Sequence, residues 1–139
     1  MDRTKYGIST ELKLDFSDAI TQAIACLKDQ GFGILTEIDV KETLKRKLGV
    51  DFKRYRILGA CNPPLAYKVL SKEEEIGLLL PCNVIIYETS EGKTRVTAID
   101  PVVAMSIVGN DAIRPIAEEV RQKLLSVISF LEKSSKKEA

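Results

Sequence analysis

The sequence predicts an α+β fold: a two-layer sandwich in which helices pack on a mixed or antiparallel sheet of about five strands. Segments with alternating apolar side chains and segments with helical periodicity follow one another in the order β-α-β-α-β-α-β-β-α-α. Two late strands are joined by a short turn at residues 90–93, which indicates a hairpin and disfavours a uniformly parallel sheet. The length of 139 residues fits one domain, 1–139, with a sizeable core.

The first strand and helix are predicted from a change in periodicity. Residues 6–14 alternate between apolar and polar side chains, as in a half-buried strand. Asp15 or Ser17 can cap the helix that follows, and Gly31 ends it. The apolar stripe of this helix consists of Phe16, Ala19, Ile20, Ala23, Ile24 and Leu27.

A second strand, residues 32–38, leads into a short helix. Asp39 and Glu42 have the spacing of a capping box, and Gly49 ends the helix. This helix and the polar segment after it hold most of a local basic concentration: Lys41, Lys45, Arg46, Lys47, Lys53, Arg54 and Arg56. Such a cluster indicates either a site for an anion or a solvated face balanced by acids elsewhere, and we favour the solvated face.

The third and fourth strands flank a proline-rich helix start. Residues 57–61 form the third strand, and Asn62 can cap a helix that opens with two prolines. After a polar break, residues 77–88 are nearly all apolar. They predict one long central strand that is covered on both faces, with Pro81 marking a bulge or a bend.

The C-terminal part begins with the hairpin partner, residues 94–99. Asp100 then precedes Pro101 at the start of a short helix that Gly109 ends. A long amphipathic helix follows from Ile113 or Pro115 to about Glu132. Residues 133–139 are charged, and we expect them to form a frayed tail.

Composition excludes several function classes. Histidine is absent, which removes Ser-His-Asp and Cys-His catalysis and most mononuclear zinc and iron sites. The net charge of +1 makes general nucleic-acid binding unfavourable, and neither a dinucleotide fingerprint nor a P-loop occurs. The longest apolar run is too short to span a membrane. We therefore expect no cofactor and no membrane as a partner.

Three cysteines, Cys26, Cys61 and Cys82, bear on the compartment. Their count is odd, none forms a C-x-x-C pair, and the polar N-terminus shows no secretory signal. We therefore expect reduced thiols in the cytoplasm. Cys26 lies at the margin of the first helix stripe, where a small buried apolar side chain is the favoured role.

The candidate site combines two similar segments, each with a Cys-Asn pair next to proline. Its residues are Cys61, Asn62, Pro63, Pro81, Cys82 and Asn83. Three interpretations remain open: a structural junction, a ligand-binding cleft, and thiol chemistry. The helix start after Asn62 would favour an anion, or the thiolate form of Cys61, through its backbone N–H groups.

A metal at this site would need more ligands than the sequence offers there. Two thiols supply half of a structural zinc set, so none is expected. Asp39 and Asp100 each separate a strand from a helix. A carboxylate pair could serve acid/base chemistry, but helix capping explains both residues more simply.

Several motifs together resemble the family called domain of unknown function 302. They are residues 33–40, 48–52, 58–63 and 77–84 and the pair Asp100-Pro101, so the resemblance covers nearly the whole chain. It implies a small α+β protein and a homodimer, and it transfers no activity. Such sequences often have histidine after the Asn-Pro-Pro turn, where this chain has Tyr67.

The function predicted from these observations is a non-catalytic, cytoplasmic, homodimeric domain. It would bind a small ligand, for which an anion is the favoured class, or a partner near the Cys61-Asn62-Pro63 turn. The alternative is a thiol-dependent redox or sulfur-handling enzyme that uses Cys61 with Cys82 as the resolving thiol. Nucleic-acid binding through residues 41–56 is a third, less favoured hypothesis.

Overall fold

The computed structural model describes residues 1–138, with side chains through Ser135. Its strands are β1 (Asp2–Arg3), β2 (Gly7–Leu12), β3 (Gly33–Asp39), β4 (Tyr55–Cys61), β5 (Cys82–Glu88) and β6 (Thr94–Ile99). Within residues 1–138 they form one six-stranded sheet in the order β1-β2-β6-β5-β4-β3. Every neighbouring pair is antiparallel. The α+β prediction is confirmed, and the extra strand is β1, whose two residues are too few for a periodic signal.

The helices of the described chain connect these strands or follow them. They are α1 (Phe16–Asp29), α2 (Val40–Leu48), α3 (Pro63–Lys72), α4 (Pro101–Met105) and α5 (Arg114–Glu138). Two 3₁₀ helices, Glu74–Leu79 and Ser106–Val108, follow α3 and α4.

The main core lies between one face of the sheet and the helices α1 and α5. The strands contribute Ile8, Leu12, Leu58, Ala60, Val84, Ile86, Val96 and Ala98, and the helices contribute Ala19, Ala23, Leu27, Leu124, Ile128 and Leu131. On the other face, register places Thr97, Ile85 and Ile57 side by side, and all three are only half-buried. The two-layer arrangement therefore has one covered and one open sheet face.

Side-chain caps begin four of the helices, as the sequence predicts. Asp15 accepts a hydrogen bond from the Asp18 N–H, and Asp39 accepts one from the Glu42 N–H. Asp100 accepts from the N–H groups of Val102 and Val103, at 3.0 and 3.4 Å. Such caps contribute about 1 kcal/mol each. Capping is thus confirmed as the role of Asp39 and Asp100.

The prediction of a long fourth strand over residues 77–88 was wrong. The first half of this apolar run is the 3₁₀ helix, in which Ile76 is buried and Leu78 is 84% exposed. Ile76 packs in a second, smaller core cluster with Val69, Met105, Ile113 and Ala117. The strand β5 begins only at Cys82, and its burial alternates, so it is not covered on both faces.

The last helix is longer than its sequence pattern indicates. It was predicted to end near Glu132, but α5 continues to Glu138. Ser135 is buried, and its hydroxyl accepts a hydrogen bond of 2.9 Å from the Lys13 N–H. This contact anchors the helix to the segment between β2 and α1. Ala139, the last residue of the predicted frayed tail, lies outside the described residues.

Candidate functional site

The two Cys-Asn segments meet at one end of neighbouring strands. Cys61 is the last residue of β4 and Cys82 is the first residue of β5. The antiparallel register pairs Ala60 with Cys82 and Gly59 with Asn83. The six residues predicted from the sequence therefore lie together, at the sheet end from which α3 begins.

A close approach at Gly59 holds this junction together. A Cβ atom built on Gly59 would overlap the Thr36 hydroxyl oxygen and lie 2.7 Å from Cγ of Pro81. Thr36 belongs to β3, where the pairing with β4 shifts register at a bulge. Pro81 follows a cis Leu80–Pro81 peptide bond. The absence of a side chain at Gly59 lets Thr36 and Pro81 reach the same point on β4.

Asn62 joins α3 to the end of α1. Its side-chain oxygen accepts a hydrogen bond of 3.3 Å from the Leu65 N–H, so Asn62 caps α3 as predicted. Its amide nitrogen donates to the Gln30 carbonyl oxygen at 3.5 Å. The residue after Gln30, Gly31, has a φ of 85°. Both ends of the Asn62 side chain are thus engaged within the fold.

The start of α3 offers no free N–H group to an anion. Pro63 and Pro64 have no backbone N–H. The Leu65 N–H is bonded to the Asn62 side chain, and the Ala66 N–H donates to the Asn62 carbonyl oxygen. The two prolines that favour this helix start also remove backbone donors, so these N–H groups lend no support to the hypothesis of an anion site.

Cys82 is buried among the core side chains, with 7% of its surface exposed. Burial, together with a smaller effect of the nearby Cys61 thiol, raises the pKa of the Cys82 thiol to about 11. Cys61 is half-buried, and all three cysteines are free thiols. A thiol with this pKa is protonated at neutral pH and is a poor nucleophile.

Cys26 resembles Cys82 in being buried. Burial raises the pKa of the Cys26 thiol, and the negative charge of Asp29 adds to the effect. Among the side chains that the structure describes, those of residues 1–135, no group of three His, Cys, Asp or Glu is placed to hold a metal ion.

An exposed apolar strip lies next to the junction. Tyr67 on α3 is 75% exposed, and Leu70 and Leu78 are exposed as well. Leu70 follows Tyr67 by one helical turn, and its Cδ2 lies 3.9 Å from the Cβ position built on Gly77, the neighbour of Leu78. We call this strip, together with Pro63 and Pro64, the turn face. Sequence reasoning missed it because Leu78 was assigned to a buried strand.

Two cavities of the described chain lie away from the junction. One of about 130 Å³ lies between α4 and α5 and is lined by residues that include Met105, Asn110 and Ile113. An open groove of about 610 Å³ runs along α2, beside Lys41 and Val50. Neither cavity is lined by the six junction residues.

Ion pairs partly neutralise the basic cluster of residues 41–56. Lys45 pairs with Asp51 at 3.1 Å, and Arg46 pairs with Glu42 at 3.5 Å. Arg54 donates two hydrogen bonds of 2.8 Å to Glu88. This hydrogen bonding is the main cause of a lowered pKa at the Glu88 carboxyl. Arg56 pairs with Glu37 and with Asp39.

Fold and junction together define a small α+β domain with helices on one face of an antiparallel sheet. The chain belongs to the family described as domain of unknown function DUF302, whose model matches residues 8–131. It is also similar to a crystal structure of an uncharacterized conserved DUF302 protein from Bacillus stearothermophilus. The two share 26% sequence identity and a TM-score of 0.86, over 92% of this chain and 99% of the other.

The search of curated proteins found no match. Within the part of the chain that the structure describes, no helix has the length and apolar content needed to cross a bilayer.

Proposed function

We propose that this protein is a non-catalytic binding domain that works in the cytoplasm as a homodimer and binds a partner protein at the turn face. The observation that carries this proposal is the exposed strip of Tyr67, Leu70 and Leu78 beside the Cys61-Asn62-Pro63 turn. Contiguous apolar side chains on a protein surface mark interaction sites more often than single ones do. A large, rigid tyrosine at the centre of such a strip is typical of binding hot spots.

Contacts within the fold hold the elements of the turn face in fixed positions. Asn62 fixes the start of α3 to the end of α1, and Ile76 anchors the 3₁₀ helix in the second core cluster. Tyr67 and Leu78 are therefore presented on elements whose positions are set by buried contacts. Preorganised side chains lose less conformational entropy on binding. A partner is favoured over a small anion because the α3 start has no free N–H donor.

The homodimer is proposed from the edge of the sheet. The strand β3 pairs only with β4 within residues 1–138, and it carries the exposed side chains Leu35 and Ile38. An open edge with apolar side chains favours pairing with another strand. Two copies of β3 related by a two-fold axis would pair antiparallel and close the contact as a dimer.

The cysteines support the proposed cytoplasmic location and the proposed non-catalytic role. The three free thiols suit a reducing compartment such as the cytoplasm. The thiol-dependent alternative is less favoured, since Cys82 is buried with a raised pKa and Cys26 is buried on the helix side of the sheet. No cofactor is needed for a function of this kind.

Photo-crosslinking in cells tests the partner surface. A photoreactive amino acid at Tyr67 or at Leu78 is expected to give the same covalent adduct with one protein. The same group at the exposed helix position Ser126 serves as the matched control. Adducts that are equal at all three positions, or absent from the first two, would contradict the proposal.

Native mass spectrometry of freshly purified protein tests the dimer. We expect twice the chain mass, and we expect Ile38→Lys to give monomer because it places a charge on the pairing edge. Leu78→Lys, at a more exposed position on the turn face, should leave the dimer intact. A monomeric wild-type protein, or a small molecule retained by it, would count against this part of the proposal.

A further inference from the structure

The segment of residues 40–54, here called the basic arm, projects from one end of the sheet. It comprises α2 and the chain that leads from it into β4. None of the α2 side chains is buried, and residues 45–54 are all exposed. A nine-residue helix is marginal in water unless tertiary contacts support it. Support here comes from the Asp39 cap and from Gly49, whose φ is 68°.

The basic arm exposes three apolar side chains near its tip. They are Leu48, which is 69% exposed, and the exposed Val50 and Phe52. Leu48 is the last residue of the helix, and Val50 and Phe52 follow it on alternate residues. Val50 also lines the open groove along α2. Exposed apolar side chains next to basic ones suit insertion into the interface of a lipid bilayer.

Charge surrounds these apolar residues. The basic arm has six basic and two acidic side chains, hence a net charge of +4, against +1 for the whole chain. Carboxylates pair with Lys45, Arg46 and Arg54. The Lys41 ammonium donates to the Phe52 carbonyl oxygen, and Lys53 lies 5.1 Å from the centre of the Tyr87 ring. Lys41, Lys47 and Lys53 have no ion-pair partner among the described side chains.

We propose that the basic arm docks on an anionic membrane surface. Leu48, Val50 and Phe52 enter the boundary between headgroups and acyl chains, while Lys41, Lys47 and Lys53 face acidic headgroups. Basic side chains beside exposed apolar ones are the recognised combination for peripheral attachment to anionic lipid, and the cytoplasmic leaflet is negatively charged. The attachment is peripheral and needs no membrane-spanning helix. It is independent of the turn face.

Other occupants fit the basic arm less well. Contact between the arms of two copies would bring like charges of +4 together. Contact with the acidic residues 73–75 of another copy would join opposite ends of the sheet, and such a head-to-tail contact does not close into a dimer. Nucleic acid would leave the aliphatic Leu48 and Val50 without a role, because stacking requires aromatic rings.

Co-sedimentation of the full chain with vesicles tests the proposal. Wild-type protein is expected to sediment with vesicles of phosphatidylcholine and phosphatidylglycerol, and not with phosphatidylcholine alone. Added salt should weaken the binding. Lys47→Gln and Lys53→Gln should each lower the partition coefficient about fivefold. Leu48→Ser and Phe52→Ser should each lower it about tenfold or more.

Leu78→Ser is the matched control, because Leu78 is an even more exposed leucine than Leu48 and lies at the other end of the sheet. Its partition should equal that of wild type, and circular dichroism should show all variants folded. The proposal is overturned if wild type does not bind the anionic vesicles at low salt, or if control and arm variants bind alike. It is also overturned if the arm variants alter only the oligomeric state, or only binding to an oligonucleotide.

Discussion

Gly59 is the residue at which the absence of a side chain matters most. Thr36 and Pro81 both occupy the space where a Cβ would lie. The Gly59→Ala substitution should therefore destabilise the protein by about 1–3 kcal/mol, because the Thr36 side chain and the proline ring must move to relieve the overlap. Urea unfolding measures the effect. Gly33→Ala is the control, since nothing lies within 4 Å of its built Cβ, and equal losses for both variants would refute the close-approach explanation.

Asn62 is expected to matter for stability through both of its hydrogen bonds. Asn62→Ala removes the α3 cap and the contact with Gln30 and should cost about 1–2 kcal/mol. Asn62→Asp keeps the capping oxygen and should recover most of that loss. Thermal unfolding compares the two variants. The exposed neighbour Asn83 provides the control, as Asn83→Ala should change stability by less than about 0.5 kcal/mol.

The Cys82 thiol makes the stability of the fold depend on pH. Its pKa in the fold is about 11, against 9.0 for an unperturbed thiol, so the folded state binds the proton more tightly than the unfolded state. The stability associated with the neutral thiol is therefore complete below pH 9 and is lost as pH rises towards 11. By linkage the loss amounts to about 2–3 kcal/mol.

Urea unfolding at pH 8 and at pH 10.5 measures this effect in wild type and in Cys82→Ala. The variant loses packing at both pH values, so the informative quantity is the difference between them. Wild type should lose more stability than the variant over this interval. Equal losses would mean that Cys82 titrates in the fold as it does in water.

Local hydrogen bonds were the part of the junction that sequence reasoning could predict. The Asn62 cap joins residues only three apart, and its residue type is diagnostic. The clustering of Thr36, Gly59 and Pro81 depends on strand register and a bulge, which no local pattern encodes. The missing N–H donors of Pro63 and Pro64 were visible in the sequence, yet they were interpreted only as signs of a helix start.

At the scale of elements, the apolar run of residues 76–86 shows the limit of periodicity. Six consecutive residues of it form a 3₁₀ helix and a cis-proline link before β5 starts. A short apolar run does not distinguish a buried strand from a helical turn. The second core cluster decides between them, because it takes Ile76 inward and leaves Leu78 outside. That cluster involves α4 and α5, far along the chain.

Truncation of Ile76 should cost much more stability than truncation of Leu78. Ile76→Ala leaves a cavity in the second core cluster and should cost about 2–4 kcal/mol. Leu78→Ala removes an exposed side chain and should be within about 0.5 kcal/mol of wild type. Thermal unfolding of the two variants provides the comparison. If this segment were a long buried strand, both truncations would instead destabilise the protein strongly.

At the scale of the whole molecule, α5 is the element that unites the two core clusters. Leu124 and Ile128 pack in the main cluster, while Ile113 and Ala117 pack in the smaller one. Asp100, which is 6% exposed, caps α4 and lies 3.6 Å from Arg121 of α5. This ion pair therefore links the end of β6 to the long helix, at the point where the clusters adjoin.

Removal of the Asp100 charge should destabilise the whole fold. Asp100→Asn keeps an oxygen for the α4 cap but leaves Arg121, whose Nε already lacks a partner, without its counter-charge. We expect a loss of about 1–3 kcal/mol, limited by the partial exposure of Arg121. A double-mutant cycle with Arg121→Leu measures the coupling. Additive effects would show that the pair contributes nothing.

Strand order also governs the time at which each strand finds its neighbours during synthesis. The strands β3, β4, β5 and β6 pair in chain order, but β2 pairs with β6, where Leu12 lies opposite Thr94. At about 5–20 residues per second, a ribosome needs roughly 4–16 s to make the chain between those two residues. Throughout that interval β2 lacks its partner strand β6, so Ile8 and Leu12 are not yet buried in the completed core. The beginning of the chain therefore depends on protection from aggregation until nearly all of the sheet has emerged.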